Sequence, residues 1–165
     1  MKCKHTFLSL LCFFTIIMLC FSSGVKAYCF ETAGEKYKID PLLLKAIVIQ
    51  ESGLNPKAIN HNKNKAGKIT STDYGLAQIN STHIPTLIRM GVIKSKDDLL
   101  TNPCLNVQIG AWILAKHIKQ CGVNWMCLGT YNAGFREDND KKRMEYAKLI
   151  YAIYTSLLTG KRKAS

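Results

Sequence analysis

Residues 41–52 read PLLLKAIVIQES, an apolar run that ends on the carboxylate of Glu51. In a helix the neighbours of Glu51 three, four and seven positions back are Val48, Ile47 and Leu44, so the acid shares an apolar face. Burial there disfavours the charged form, and so does the negative end of the helix dipole. A carboxyl kept protonated near neutral pH can give its proton to a glycosidic oxygen. The spacing alone also fits a half-exposed helix-end glutamate. A second carboxylate, Asp73, stands just before Gly75-Leu76-Ala77-Gln78. It is either a partner carboxylate beside a sugar bond or a loop aspartate capping the next turn. Gln78, Asn80, Tyr131 and Asn132 supply amides and a phenol, groups that bind N-acetyl and hydroxyl functions without net charge. In isolation Tyr131 reads as core and Asn132 as a helix cap.

The elements that must hold these residues are mostly helical. Residues 31–38 suit a first helix, ended by Ile39-Asp40-Pro41. Asp40 is a good N-cap and Pro41 a good first helical residue, so a second helix is expected over 41–52, stopped by Gly53. A helix apolar nearly all round is a buried one. Residues 60–73 are polar and rich in Lys and Asn, and suit a loop or small hairpin. A short helix is expected over 82–89. Asn102-Pro103 opens a long one with Val107, Ala111, Leu114, Ala115 and Ile118 at helical spacing. Another short helix is expected over 125–131. The last places Tyr146, Leu149, Ile150, Ile153 and Leu157 on one face. The expected fold class is mainly α, an α+β helical globule with a small β or irregular region.

Composition bounds the setting. Lys2 and Lys4 precede an apolar run, Phe7 to Phe21, and Val25 and Ala27 occupy the −3 and −1 positions of a cleavage site. Residues 1–27 are therefore expected to be a secretory signal peptide, residues 28–160 one domain and residues 161–165 a basic tail. The apolar core, about 15 residues, is short for an uncleaved membrane anchor. Cys20 follows Leu19, where a lipoprotein signal wants a small residue. Lys2, Lys4 and Lys26 take three charges from the full chain's +12, leaving +9 on the mature chain. Such a chain prefers polyanions. Export argues against nucleic acid and for the carboxylates of peptidoglycan or anionic lipid. Cys29, Cys104, Cys121 and Cys127 remain after cleavage, and an even number in an exported chain implies two disulfides, with three pairings possible. A zinc site fails on spacing, since no C-x-x-C pair exists and the histidines are scattered; His61, His83 and His117 read as structural or solvated. No metal or cofactor is expected.

Three ordered motifs narrow the reading. Glu51-Ser52-Gly53-Leu54-Asn55-Pro56 is followed by Asp73-Tyr74-Gly75-Leu76-Ala77-Gln78-Ile79-Asn80-Ser81, and then by Thr130-Tyr131-Asn132-Ala133-Gly134. Here the chain resembles the lytic transglycosylases with a soluble-transglycosylase, goose-lysozyme-like catalytic domain. That family's pattern is an E-S pair, then G-L-M-Q, then A-Y-N-x-G. The resemblance runs from about Cys29 to Tyr154. The look-alikes include small exported enzymes that accompany type III secretion, type IV secretion and pilus assembly. They share Tyr28-Cys29-Phe30, Asn102-Pro103-Cys104 and Tyr131-Asn132-Ala133-Gly134-Phe135. Two positions depart from the pattern: Ala77 stands for the usual Met, and Thr130 for the usual Ala.

The resemblance implies a lysozyme-like fold, a monomer and a periplasmic lyase acting on peptidoglycan glycan strands. Glu51 would protonate the oxygen between N-acetylmuramic acid and N-acetylglucosamine, then take the proton from the muramic 6-hydroxyl as that oxygen attacks C1. The product would be a 1,6-anhydro end. Ser52, Gln78, Asn80, Tyr131 and Asn132 would line the sugar site, and Tyr146 matches a tyrosine facing the glutamate. Asp73 lies close to where lysozymes with two carboxylates place the second. A hydrolase using Glu51 and Asp73, and a module docked on a secretion apparatus, are the competing readings. Similar proteins carry cysteines at 29 and 104, which implies that these two pair. Cys121 and Cys127 flank the turn Gly122-Val123-Asn124 and can close if one helix ends near Cys121 and the next begins near Asn124.

Overall fold

A computed structural model describes residues 28–160. The expected signal peptide and basic tail lie outside these residues. The elements in chain order are α1 (Phe30–Tyr37), α2 (Pro41–Ser52), β1 (Ile59–Lys63), β2 (Ile69–Tyr74), β3 (Ile79–Asn80), α3 (Ile84–Arg89), α4 (Asp98–Thr101), α5 (Pro103–Cys121), α6 (Trp125–Ala133) and α7 (Asp140–Leu158). Short 3-10 turns at Ser81–His83 and Glu137–Asn139 precede α3 and α7. The architecture is the expected one: mainly helical, lysozyme-like, with one small antiparallel sheet in the order β1-β2-β3.

The helix ends follow from local chemistry. The Asp40 side chain accepts the Leu42 N–H at 2.8 Å, ahead of Pro41. At the other end of α2, Gly53 turns left-handed (φ 60°) and its N–H closes on the Ile49 carbonyl. Asn102 caps α5 by accepting from Leu105 at 3.0 Å, and Asn124 caps α6 by accepting from Cys127 at 2.8 Å. The four-residue helix α4 was not expected; it is too short to carry a periodic signal.

The core gathers α2, α5 and α7 around the turn after β2. Leu44, Ile47 and Val48 meet Leu76, Ile79, Val107, Leu114 and Ile150, all nearly inaccessible. One residue of the expected α7 stripe is misplaced: Leu149 is 51% exposed, whereas Tyr146 and Ile150 are buried. At about 100° per residue Leu149 lies about 60° from Tyr146, at the stripe's margin, on the far side from Ile150. A fully buried asparagine, Asn106, ties the sheet to the helices. Its Oδ1 accepts from Ala77 N at 2.7 Å, and its Nδ2 donates to the Tyr74 and Leu99 carbonyls at 2.8 and 2.9 Å. Gly75 (φ 73°) must be glycine there, because a Cβ would lie 2.3 Å from the Asn106 amide.

Disulfides join Cys29 to Cys104 and Cys121 to Cys127, with Cα separations of 5.3 and 5.6 Å. The first pins the start of α1 to the start of α5. The second closes the turn between α5 and α6.

Candidate active site

Glu51 is placed by the last turn of α2, where the core helix emerges into a cleft of about 840 Å³. The three-stranded sheet forms one wall of this cleft and the adjoining ends of α5 and α6 contribute another. Seven of the eight expected site residues line it: Glu51, Ser52, Asp73, Gln78, Asn80, Tyr131 and Asn132. The eighth, Tyr146, is buried on α7 and reaches Glu51 from the side of a smaller recess. Its phenol donates to Glu51 Oε1 at 2.5 Å. Glu51 is thus gripped from the core side while remaining on the cleft surface. Burial pushes its carboxyl up from 4.5 to about 7; the Tyr146 hydrogen bond works against the rise and the Asp73 charge adds to it. Near neutral pH such a group is part acid, part base.

Asp73 is held differently. Antiparallel pairing sets Asn60 opposite Asp73 and Asn62 opposite Ser71, so these four share one face of the hairpin, and β3 brings Asn80 opposite Asp73. The Asn62 amide donates to Asp73 Oδ2 at 2.7 Å and the Asn80 amide to Oδ1 at 2.6 Å. Both amides also reach the Ser71 hydroxyl oxygen at 3.0 Å. The result is a carboxylate clamped from both sides across three strands.

The polar residues expected around a sugar differ in what they leave free. Asn80 is occupied, since its Oδ1 also accepts from Thr82 N at 3.0 Å. Gln78 sits in a left-handed turn (φ 47°) and donates its amide to the Gly75 and Ala58 carbonyls at 2.8 and 3.3 Å, which leaves its Oε1 as an acceptor. The Tyr131 hydroxyl donates to the Ala77 carbonyl at 2.9 Å, so the ring, not the hydroxyl, faces the cleft as a surface. Ser52 donates back to the Val48 carbonyl at 3.1 Å. Asn132 is exposed and makes no side-chain hydrogen bond among the described residues. The two departures from the motif pattern are both buried: Ala77 faces Gly110, and Thr130 sits within the cleft wall.

Among the cleft residues that escaped the sequence reading are Asn62, Ser71, His83 and His117. Asn62 and Ser71 follow from a period of two once the hairpin register is known, and register is not written in a polar stretch. His83 and His117 carried no motif. Both are half-buried, and burial holds both below the usual histidine value. His61, by contrast, stays on the hairpin, bonded to Thr72 Oγ1 at 3.1 Å.

This geometry has counterparts among known proteins. The transglycosylase SLT domain matches residues 28–154. A peptidoglycan-binding-like protein of Escherichia coli O157:H7 is 52% identical, over 86% of this chain and 84% of its own. The invasion protein IagB of Salmonella typhimurium is 39% identical, over 88% of this chain and 86% of its own. The fold is shared with an inactive mutant of the lytic transglycosylase Slt from Pseudomonas aeruginosa, at a TM-score of 0.59 and 18% identity; the match covers 84% of this chain and 24% of that one. With the domain match spanning nearly every described residue and the motif residues gathered in one cleft, this chain belongs to the transglycosylase SLT domain family of lytic transglycosylases.

Proposed function

We propose that the protein cleaves the bond between N-acetylmuramic acid and N-acetylglucosamine in peptidoglycan and leaves 1,6-anhydro ends. The observation that carries this is Glu51, a carboxyl at the cleft surface raised to about 7 and fixed by Tyr146. Its protonated form gives the proton to the bridging oxygen as the C1–O bond breaks. The resulting carboxylate then removes the proton of the muramic 6-hydroxyl as that oxygen bonds to C1. Both steps use one group, so its acid and base forms must be close in energy near neutral pH. The clamped Asp73 charge stabilises the cationic sugar in between. The Tyr131 ring and the free groups of Gln78 and Asn132 hold the strand. Residues 1–27 direct export to the periplasm, and the domain then opens the wall locally for a secretion or pilus assembly. The similarity to a protein named for invasion supports that setting.

Mass spectrometry of purified peptidoglycan after incubation with residues 28–165 tests the reaction. Muropeptides one water lighter than hydrolysis products are expected; reducing ends without anhydro sugars make the enzyme a hydrolase. Such a hydrolase is the second reading, favoured by Asp73 sharing the cleft with Glu51. The two differ in Asp73→Asn. In the lyase it lowers the rate on the order of tenfold to a hundredfold, less than Glu51→Gln does. Equal and total loss from both substitutions, with the fold intact, establishes a two-carboxylate hydrolase.

A further inference from the structure

The histidine on the cleft wall at the end of α5 has a chemical state that its neighbours define. His117 Nδ1 lies 2.8 Å from Thr130 Oγ1. That hydroxyl has one hydrogen, and it donates it to the Cys127 carbonyl at 2.6 Å. At the His117 contact Thr130 is therefore the acceptor, and His117 carries its proton on Nδ1. Thr130 is 3% exposed, so water does not replace it there. The imidazole is braced by the Phe135 ring, edge to face at 4.8 Å. Burial, then the charges of His83 and Lys116, hold His117 below the usual histidine value and so favour the neutral ring. A neutral imidazole protonated on Nδ1 has a lone pair on Nε2, and Nε2 makes no hydrogen bond among the described residues.

The rest of the cleft makes that lone pair useful. The Tyr131 hydroxyl, the Asn80 amide and both Gln78 amide hydrogens are engaged with the protein. Beside Tyr131 and Asn132, His117 Nε2 is an uncharged acceptor whose direction is fixed. We infer that His117, held by Thr130 with its proton on Nδ1, is a specificity-determining residue whose Nε2 accepts a hydrogen bond from an N–H or O–H of the bound N-acetylated glycan. Thr130 is the positioning residue of the pair. An alanine at 130 leaves the imidazole free to exchange tautomers and turn. The inference rests on the reading that this cleft takes the glycan.

The test uses the Glu51→Gln protein, which keeps the cleft without consuming ligand, and an alternating N-acetylglucosamine–N-acetylmuramic acid tetrasaccharide. Nitrogen-15 imidazole spectra are expected to show His117 protonated on Nδ1, with the Nε2 signal moving on titration. In this background His117→Ala and Thr130→Val raise Kd about threefold to tenfold, the range of one neutral hydrogen bond, while Thr130→Ser stays within twofold. Thr130→Val also removes the single-tautomer signature, which a merely structural role for Thr130 does not predict. Repeating the titration with the analogue that carries acetoxy in place of acetamido groups, and so lacks the N–H, names the donor. Loss of the His117→Ala effect assigns it to the acetamido N–H, and its persistence to a hydroxyl. An Nε2 signal unmoved at saturation, or a Kd unchanged in His117→Ala, overturns the inference. If wild-type protein still cleaves peptidoglycan in that case, only this inference falls; a tetrasaccharide that does not bind at all sinks the glycan reading with it.

Discussion

Glu51 is the residue whose chemistry depends most on its surroundings. Its carboxyl sits at about 7 because burial outweighs the Tyr146 hydrogen bond. The sign of two substitutions follows. Tyr146→Phe removes the interaction that lowers the value, so the falling limb of the activity profile, set by loss of the acid form, moves to higher pH. A limb unmoved or shifted to lower pH contradicts this account, and a pH series of initial rates decides it. Glu51→Gln removes the titrating group altogether, and cleavage falls on the order of a thousandfold or more while the fold persists. Stability must respond as well. The folded value is raised above the unfolded 4.5, so the contribution is fully present below that value and lost as pH rises through about 7. The loss is at most about 3 kcal/mol and smaller where solvent screens the group. Glu51→Gln is therefore expected to melt higher than wild type near pH 8.5 and to show no such gain near pH 4. Thermal melts at the two pH values measure it. The sequence made Glu51 legible because an apolar i−3, i−4, i−7 set precedes it. It did not make the Asp73 clamp legible, because hydrogen-bond partners across three strands depend on a register that Asn, Ser and Thr side chains do not specify.

At the scale of elements, boundaries were legible wherever a cap and a stop were written in neighbouring residues. Asp40-Pro41 with Gly53 brackets a helix that the structure places at that position, and Asn102-Pro103 opens the long one where expected. Asn106 was not legible: an asparagine inside a helical pattern reads as a surface residue, and only the docked sheet turn together with α4 gives it three partners. The packing of α6 on α7 shows how an element holds a site. A Cβ at Gly129 would lie 2.2 Å from the Arg143 carbonyl oxygen and 2.5 Å from its Cα, a backbone approach that no rotamer relieves. Arg143 itself is buried and donates to the Gly134 carbonyl at 2.8 Å, to the Arg136 carbonyl at 2.5 Å and to Asp140 at 2.7 Å, so α7 and the loop after α6 move together. Gly129→Ala is expected to cost about 3 kcal/mol through overpacking. It also displaces Tyr146, one turn along α7, from Glu51. The activity lost at a temperature where the variant is fully folded should therefore resemble that of Tyr146→Phe. A variant with wild-type melting temperature refutes the close approach.

At the scale of the whole molecule, the described residues form one sheet and seven helices, and α1 must be kept attached to the rest. The helix α1 packs on α2 and α5, and the Cys29–Cys104 bond joins its start to the start of α5. The sequence left three pairings open; the family resemblance implied this one, and the Cα separation of 5.3 Å accommodates it. The two bonds constrain very different lengths of unfolded chain, 75 residues of separation against 6. On the chain-entropy account the long loop contributes roughly 4 to 5 kcal/mol and the short one roughly 2. Native packing points the same way. Without Cys29–Cys104, α1 rests on its buried Phe30, Ala33 and Gly34 face, on Tyr37 packed against the core and on the Tyr28 hydroxyl at the Leu54 carbonyl, 3.3 Å away. Without Cys121–Cys127, the α5–α6 turn still keeps the Asn124 cap and the Gly122 N–H on the Ile118 carbonyl at 2.8 Å. Cys29→Ser paired with Cys104→Ser is therefore expected to lower the melting temperature more than Cys121→Ser paired with Cys127→Ser, with both cysteines of a bond replaced so that no odd thiol reshuffles. Differential scanning of the two double variants at one pH makes the comparison. An equal or reversed order would mean that the unfolded chain is already compact around α1 and α5, so that the long loop loses little entropy when it is closed.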